Sequence, residues 1–525
     1  MRTVAAMAML FCCQTLVVAG ETVKPEVQLR HVAGWNLLEA VVPGKLLSVA
    51  SLDGGRTMYL LVEPIETPGQ PPPAEGPADD EREEDAPLVC PQPENASLPP
   101  LLELYRLELQ RQELGLVRQD LPSDGNLLGV ADLDGAGEEV LLLRRPGQLL
   151  ALQRDRLVPL VEGPPDMEMR WHASADGFRA VGSSVFGGTL RFYLAGIGTT
   201  QWREIAALAL PSTGSVQATG ISVRYAVPRY LGRDQDGKLF YATPPEAIGP
   251  RRLQITLFVL DPSSGEVQVS DCWAGLPGPE KLLDYHFLLL EGQPMLLAET
   301  MPGNKLSLLG EKLLRLFPLQ LDRSRLGLAP VFAVQSRMNL WQEAHPSLVD
   351  VNRDGRVDLV LGYWKGLISP RIALDAYVRQ ADGSFRGSPR TTAFDVEDGE
   401  GSYLHYGDDL DGDSLPDLLV RQDRNWLLYS GLPSSSGKKL VNRKATVLPL
   451  EVQGAVLNGN VELEVSAAGV SRVTAEAKGK LQFVELAEGN GRALLWVWPG
   501  DGSSPGTLQV LWREMTPAAT PGTGS

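Results

Sequence analysis

Asp350-Val351-Asn352-Arg353-Asp354-Gly355-Arg356-Val357-Asp358 runs straight into the apolar stretch Leu359-Val360-Leu361. Oxygen-bearing side chains stand at positions 1, 3, 5 and 9 of this nine-residue segment, and a glycine stands at position 6. In a tight loop the odd-numbered side chains can converge on one centre. The glycine lets the backbone turn sharply enough to offer the Arg356 carbonyl at position 7. All of these donors are hard oxygens, which suits calcium, an ion that takes six to eight of them. The pattern returns at Asp409-Leu410-Asp411-Gly412-Asp413-Ser414-Leu415-Pro416-Asp417, again followed by an apolar run, and the two loops start 59 positions apart. The candidate ligands are Asp350, Asn352, Asp354, Arg356 (carbonyl) and Asp358 in the first loop. In the second they are Asp409, Asp411, Asp413, Leu415 (carbonyl) and Asp417. No glutamate stands at position 12 and no helical pattern flanks either loop, which excludes a standard EF-hand. The competing reading is a solvated turn, because Asp and Gly are common in turns. Against it, carboxylates crowded into one short loop repel one another unless a counter-ion sits among them.

Working outward, the rest of the chain repeats the setting of these loops. Leu46 to Val62 and Leu127 to Leu143 each read as a strand, an acidic turn and a second strand. The second of these carries Asp132, Asp134 and Glu139 as weaker metal candidates, with Ala136 where a further carboxylate would be needed. A fainter copy at Tyr230 to Tyr241 keeps Asp234 and Asp236 but has Gly232 and Phe240 at the outer ligand positions, so no metal is expected there. Helical periodicity is scarce throughout; short apolar or alternating runs are separated by Gly, Pro, Asp and Ser. Seven units follow, starting near residues 34, 126, 166, 216, 278, 331 and 399. An all-strand repeat of roughly 40–60 residues is the mark of propeller blades, four-stranded antiparallel sheets arranged in a ring. The fold expected is therefore all-β, a seven-bladed β-propeller over residues 34–450, with residues 451–515 as a β-rich C-terminal extension or an extra blade. Two or three separate β-sandwiches would leave the recurring acidic turn unexplained.

The ends and the charge narrow the class further. Residues 1–20 read as a secretory signal: Arg2, an apolar stretch from Val4 to Ala19, and small residues at Val18-Ala19-Gly20. No other stretch is a candidate membrane span. The expected location is secreted, periplasmic or extracellular. Cys90 and Cys272 remain beyond that segment, free to pair in an oxidising compartment or to stay apart. A net charge of −17 argues against a nucleic-acid partner. Part of it is local, since Glu75 to Asp85 holds seven carboxylates inside the Pro-rich segment 64–100, which reads as a disordered insertion. Residues 516–525 read as a flexible tail.

With their following apolar strands, the loops Asp350–Asp358 and Asp409–Asp417 resemble FG-GAP/VCBS repeats, those of the integrin alpha-chain N-terminal propeller and of many secreted bacterial proteins. The resemblance covers roughly residues 34–450 and is carried most clearly by the sixth and seventh units. It implies a seven-bladed propeller with calcium held in loops between strands of a blade, on the ligands already named. Ser414 departs from the pattern, standing where the family has glycine, so strain is expected there.

No motif for catalysis emerges. The five histidines, His31, His172, His286, His345 and His405, form no H-x-x-x-H pair, and neither a G-x-S-x-G elbow nor a P-loop is present. His345 and His405 each precede an acidic loop, as catalytic or supporting groups or as packed positions of the repeat. Trp341, Tyr363, Trp364 and Trp426 are either sugar-stacking aromatics or core. The expected function is a calcium-binding module for an extracellular protein or glycan. The alternatives are a secreted propeller enzyme acting on polysaccharide, a lyase or hydrolase, and a ring that merely supports the C-terminal region.

Overall fold

The computed structural model describes residues 24–64 and 101–513, less 134–138, 197–201, 303–310, 321–327, 366–370, 396–400, 434–438, 451–461, 474–479, 486–491, 501–504 and breaks of one to three residues. The expected signal segment, the acidic insertion, Cys90 and the tail lie outside the described residues. Among those described, no helix is long and apolar enough to cross a membrane.

The chain forms an all-β propeller of eight blades. Blade 1 is Gly44–Leu52, Thr57–Pro64, Leu102–Glu108 and Glu113–Leu121; blade 2 is Asn126–Asp132, Glu139–Arg145, Gln148–Gln153 and Arg156–Glu162. Blade 3 is Glu168–Ser174, Gly177–Phe186, Thr189–Gly196 and Arg203–Ala209. Blade 4 is Arg229–Arg233, Leu239–Ala242, Arg252–Asp261 and Glu266–Gly275, with the short Glu246–Ala247 also paired to Arg252–Asp261. Blade 5 is Glu280–Leu290, Gln293–Pro302, Glu311–Pro318 and Phe332–Asn339. Blade 6 is His345–Val349, Asp358–Lys365, Arg371–Tyr377 and Arg390–Asp395, and blade 7 is Gly401–Tyr406, Leu418–Gln422, Asn425–Tyr429 and Thr446–Leu448. Two hairpins, Ser212–Gln217 with Gly220–Tyr225 and Glu462–Ser466 with Gly469–Val473, stand outside the blades.

The eighth blade corrects the seven-bladed expectation. Its strands Lys480–Glu485, Arg492–Trp498 and Gly506–Arg513 come from the stretch expected to be an extension or an extra blade. Its remaining two, Trp35–Val42 and Glu26–Val32, come from the other end of the chain. Trp35 pairs with Arg513 and Val42 with Gly506, so the ring is closed by antiparallel pairing between the two ends. Its sequence carries no D-x-D turn, so counting acidic turns did not include it.

Alternate residues of a strand point to opposite faces, and both faces of a blade's middle strands are covered by neighbours. Those strands therefore read as near-continuous apolar runs. In Asp358–Lys365, Leu359 and Leu361 enter a core with Leu297, Leu314 and Leu316 of blade 5, while Val360 enters another with Leu418 and Val420 of blade 7. Each of the eight interfaces has such a core. The two that seal the ring join Trp35, Leu37, Leu494 and Trp496 to Leu419, Trp426 and Leu428 of blade 7, and Leu38, Val42, Leu495 and Val510 to Leu46, Leu60 and Val62 of blade 1. First strands of successive blades approach one another, as Glu280–Leu290, His345–Val349 and Gly401–Tyr406 do, and so face the axis. Turns between first and second strands then share one face of the ring, and the two acidic loops are the turns of blades 6 and 7.

Candidate metal centre

The two loops are built alike, residue for residue. Position 4 has positive φ in both (Arg353 58°, Gly412 81°), as does position 6 (Gly355 79°, Ser414 65°). Each loop thus has one glycine and one side-chain-bearing residue at its two left-handed positions. The expected strain at Ser414 is present, and Arg353 carries the same strain in the first loop.

Position 1 organises the turn. Asp350 accepts the N–H groups of Asn352 (3.2 Å), Asp354 (3.2 Å) and Gly355 (2.7 Å). Asp409 accepts those of Gly412 (2.7 Å) and Ser414 (2.8 Å). Position 5 follows: Asp354 Oδ1 takes the Arg356 N–H at 2.9 Å and Asp413 Oδ1 the Leu415 N–H at 2.8 Å. The Asp354 carboxylate also meets the Asn352 amide at 3.0 Å and the Arg356 guanidinium. In the second loop the carboxylates of Asp409, Asp411 and Asp413 offer oxygens that all lie within 4.8 Å of one another. Ser430 donates to Asp411 at 2.6 Å, and Arg513 of blade 8 stands 3.8 Å from it.

Position 9 is where burial matters most. Asp358 and Asp417 are 0% and 1% exposed. Asp358 takes the Val351 N–H (3.1 Å) and the Arg379 N–H (2.7 Å), stapling its loop to the end of the blade's third strand. Asp417 does the same with Leu410 (2.8 Å), Asp411 (3.2 Å) and Gly431 (2.7 Å). Burial pushes the Asp417 carboxyl up to about 7, with the Asp411 charge adding to it and the backbone N–H groups opposing it. Asp358 is pushed up by burial and then by Asp354 and Asp350, and Asp413 by burial and then by Asp411 and Asp409. Asp358 and Asp417 hold their charge in a dry place at the base of each loop, while Asp354 and Asp413 stand exposed at the tip, with Arg356 paired to Asp354 and Arg513 beside Asp411. A divalent ion fits such an oxygen set and would reverse the upward shifts.

The loops are also joined to each other. The Arg353 guanidinium donates to the Asp413 carbonyl at 3.2 Å and the Ser414 carbonyl at 2.8 Å, linking blades 6 and 7. The weaker candidates are only partly placed. Asp132 and Glu139 are paired opposite each other across their hairpin in blade 2, and Asp134 lies outside the described residues. In blade 4, Asp234 closes an ordinary turn through the Lys238 N–H (2.8 Å), with Gly237 at φ 82°.

A second polar cluster escaped the sequence reading. Glu299, fully buried in the second strand of blade 5, faces His286 of the first strand (Nε2 to Oε1 3.1 Å) and Lys312 of the third (Nζ to Oε2 2.5 Å). Asp284 completes the group, its Oδ2 3.9 Å from the same imidazole nitrogen. Burial alone would raise the Glu299 carboxyl, but His286 and Lys312 outweigh it and hold the group below its ordinary value. The only local signs were Asp284, Glu299 and Lys312, charged residues inside three largely apolar strands. His345 lies on the adjoining first strand of blade 6, and burial lowers its basicity. His405, in blade 7, stacks on Phe483 of blade 8 at 4.6 Å and meets Asp408 at 2.5 Å; burial and then Arg492 lower it to about 4. Tyr363 and Trp426, considered above as sugar-stacking aromatics, are buried core residues. Trp364 is half-buried, and Trp341 lies outside the described residues. Cys272 is a free, buried thiol.

No protein-family description matches this chain, and no curated protein resembles it in sequence. Solved structures do resemble it in shape. An oligogalacturonate lyase in complex with manganese shares 9% identity over 94% of this chain and 97% of its own, at a TM-score of 0.38. The WD40 domain of SCAP from fission yeast shares 10% over 93% and 98%, at 0.42. A prolyl endopeptidase shares 10% over 90% of this chain at 0.35, and the chain spans about half of its length, 54%. Likenesses this distant carry no chemistry across.

Proposed function

We propose that the protein is a secreted, calcium-stabilised propeller of the FG-GAP/VCBS type that serves as a binding or scaffold module for an extracellular protein or glycan. The observation that carries the reading is the twin loop: two oxygen-lined turns with the same left-handed positions, adjacent on one face and joined through Arg353. Calcium in both would replace repulsion by attraction and set the two loops as one rigid platform. Ligands in the first loop would be Asp350, Asn352, Asp354, Asp358 and the Arg356 carbonyl, and in the second Asp409, Asp411, Asp413, Asp417 and the Leu415 carbonyl. Ion binding stabilises by mass action, about 2.7 kcal/mol when free ion stands 100-fold above its dissociation constant.

The test has two arms. Isothermal titration should find two calcium ions per chain, falling to one in Asp413→Ala. Immobilised glycans and extracellular proteins should then capture the calcium-loaded protein and release it on chelation. Absence of calcium heat would end the metal reading. Calcium-independent capture would end the platform reading.

One observation favours the enzyme alternative. Asp284, His286, Glu299 and Lys312 converge beside the axis, where a polysaccharide lyase or hydrolase would place acid–base groups. Release of reducing ends or unsaturated products from acidic polysaccharides, lost in Glu299→Gln, would move the assignment to that class.

A further inference from the structure

We propose that Asp284, His286 and Glu299 form a second kind of metal site, for a first-row divalent ion such as zinc, on the inner strands of blade 5. The strand pairing sets the three side chains on one face. Asp284 is the direct partner of Glu299, and His286 lies two residues along. The register shifts between Leu282 and Asp284, so a bulge immediately precedes the acid and re-aims it. In the pairing with the third strand Glu299 faces Leu314, and Lys312, two residues before it, shares that face.

The donor atoms lie where such an ion wants them. Ligand atoms about 2.0–2.2 Å from a tetrahedral or octahedral ion are about 3–3.5 Å from one another. His286 Nε2 is 3.1 Å from Glu299 Oε1 and 3.9 Å from Asp284 Oδ2, and the three lie within 4.8 Å, so small side-chain rotations close the set. The other oxygen of each acid is already held. Lys312 takes Glu299 Oε2, and its ammonium is fixed in turn by the Gln342 carbonyl, while Asp284 Oδ1 accepts the Tyr285 N–H at 2.7 Å. Outer partners of this kind orient metal ligands. Two carboxylates against one ammonium leave a net negative charge for the ion to offset.

A further imidazole stands alongside. His345 makes no hydrogen bond among the described residues, and it feels the charges of both His286 and Glu299 across the blade interface. Its imidazole lies outside the three-residue group, so the fourth position of the ion falls to water. Imidazole nitrogen with carboxylate oxygen selects zinc or a neighbouring transition ion over calcium, which keeps this site chemically distinct from the all-oxygen loops.

The full chain, stripped of metal and returned to excess calcium so that the acidic loops are satisfied, should be titrated with Co²⁺ and followed by visible d–d absorption and calorimetry. One Co²⁺ per chain is expected, displaced by Zn²⁺. His286→Ala should weaken binding at least about 10-fold. Asp284→Asn should weaken it as well while leaving the Glu299–Lys312 pair intact, which guards against loss through misfolding. Asp413→Ala should leave it unchanged. No cobalt band, equal affinity in His286→Ala, or loss in Asp413→Ala would each overturn the site and leave Glu299–Lys312 as a structural ion pair only.

Discussion

In calcium-free buffer, raising the pH from 4 to 8 should destabilise the fold through Asp417, and calcium should cancel the effect. The carboxyl is 1% exposed and its folded-state value is pushed up from 3.8 to about 7, first by burial and then by Asp411. A group whose folded value lies above its unfolded one binds more protons in the native state. Its stabilising contribution is therefore complete below 3.8 and is lost as the pH climbs through about 7. At about 1.4 kcal/mol for each pH unit, the interval amounts to about 4 kcal/mol. Asp358 and Asp413 are shifted in the same direction and add to it. Bound calcium keeps all three ionised throughout. The gap between the stability curves with and without calcium should therefore widen by at least about 4 kcal/mol between acid and alkaline buffer. Chemical unfolding at a series of pH values, in demetallated buffer and in excess calcium, measures this gap. Asp417→Asn, which cannot ionise, should narrow the widening sharply. A gap independent of pH, or one unaltered in Asp417→Asn, would refute the argument.

Three further outcomes follow from the geometry. Ser414→Gly should raise stability by about 1 kcal/mol by removing left-handed strain, seen as a higher unfolding midpoint. Arg353→Ala should cost about 1–2 kcal/mol through its two bonds to blade 7, whereas Arg353→Gly should recover about 1 kcal/mol of that, because it too removes strain at a positive φ. Glu299→Ala should cost about 3–5 kcal/mol by stranding the buried Lys312 ammonium, and adding Lys312→Met should restore much of it; a double mutant no better than the single would argue against an ion-pair cause.

The loops were legible in the sequence because everything that builds them lies within nine residues. Asp350, Asn352, Asp354 and Asp358 carry their geometry in their spacing, and the strands that follow announce themselves as apolar runs. Ser414 could be singled out for the same reason, since a left-handed position without glycine is visible locally. Arg353 could not, because an arginine at position 4 gives no local sign that its φ is positive. The seven inner strands from blade 1 to blade 7 fell close to the seven expected units for a like reason, each introducing a strand–turn–strand pattern. The starts near 34, 216 and 331 drifted, since the first falls at a strand of blade 8, the second in an extra hairpin and the third just before the last strand of blade 5. The eighth blade and the Glu299 cluster were hidden by distance. Trp35 meets Arg513 across almost the whole chain. His286 meets Glu299 only through a register set by a bulge, and a bulge leaves no mark in composition.

Closure by the two ends has a consequence for how the molecule comes into being. Trp35–Val42 leaves the ribosome well over 400 residues before its hydrogen-bonding partner, Gly506–Arg513. At about 5–20 residues per second, the wait is roughly 25–100 s. Through that interval an apolar ribbon containing Leu37, Leu38 and Val42 has an unsatisfied edge, the condition in which strands recruit the wrong neighbour. Chaperone holding of this early ribbon, and self-association of chains truncated before Gly506, are the costs that such an architecture places on biosynthesis.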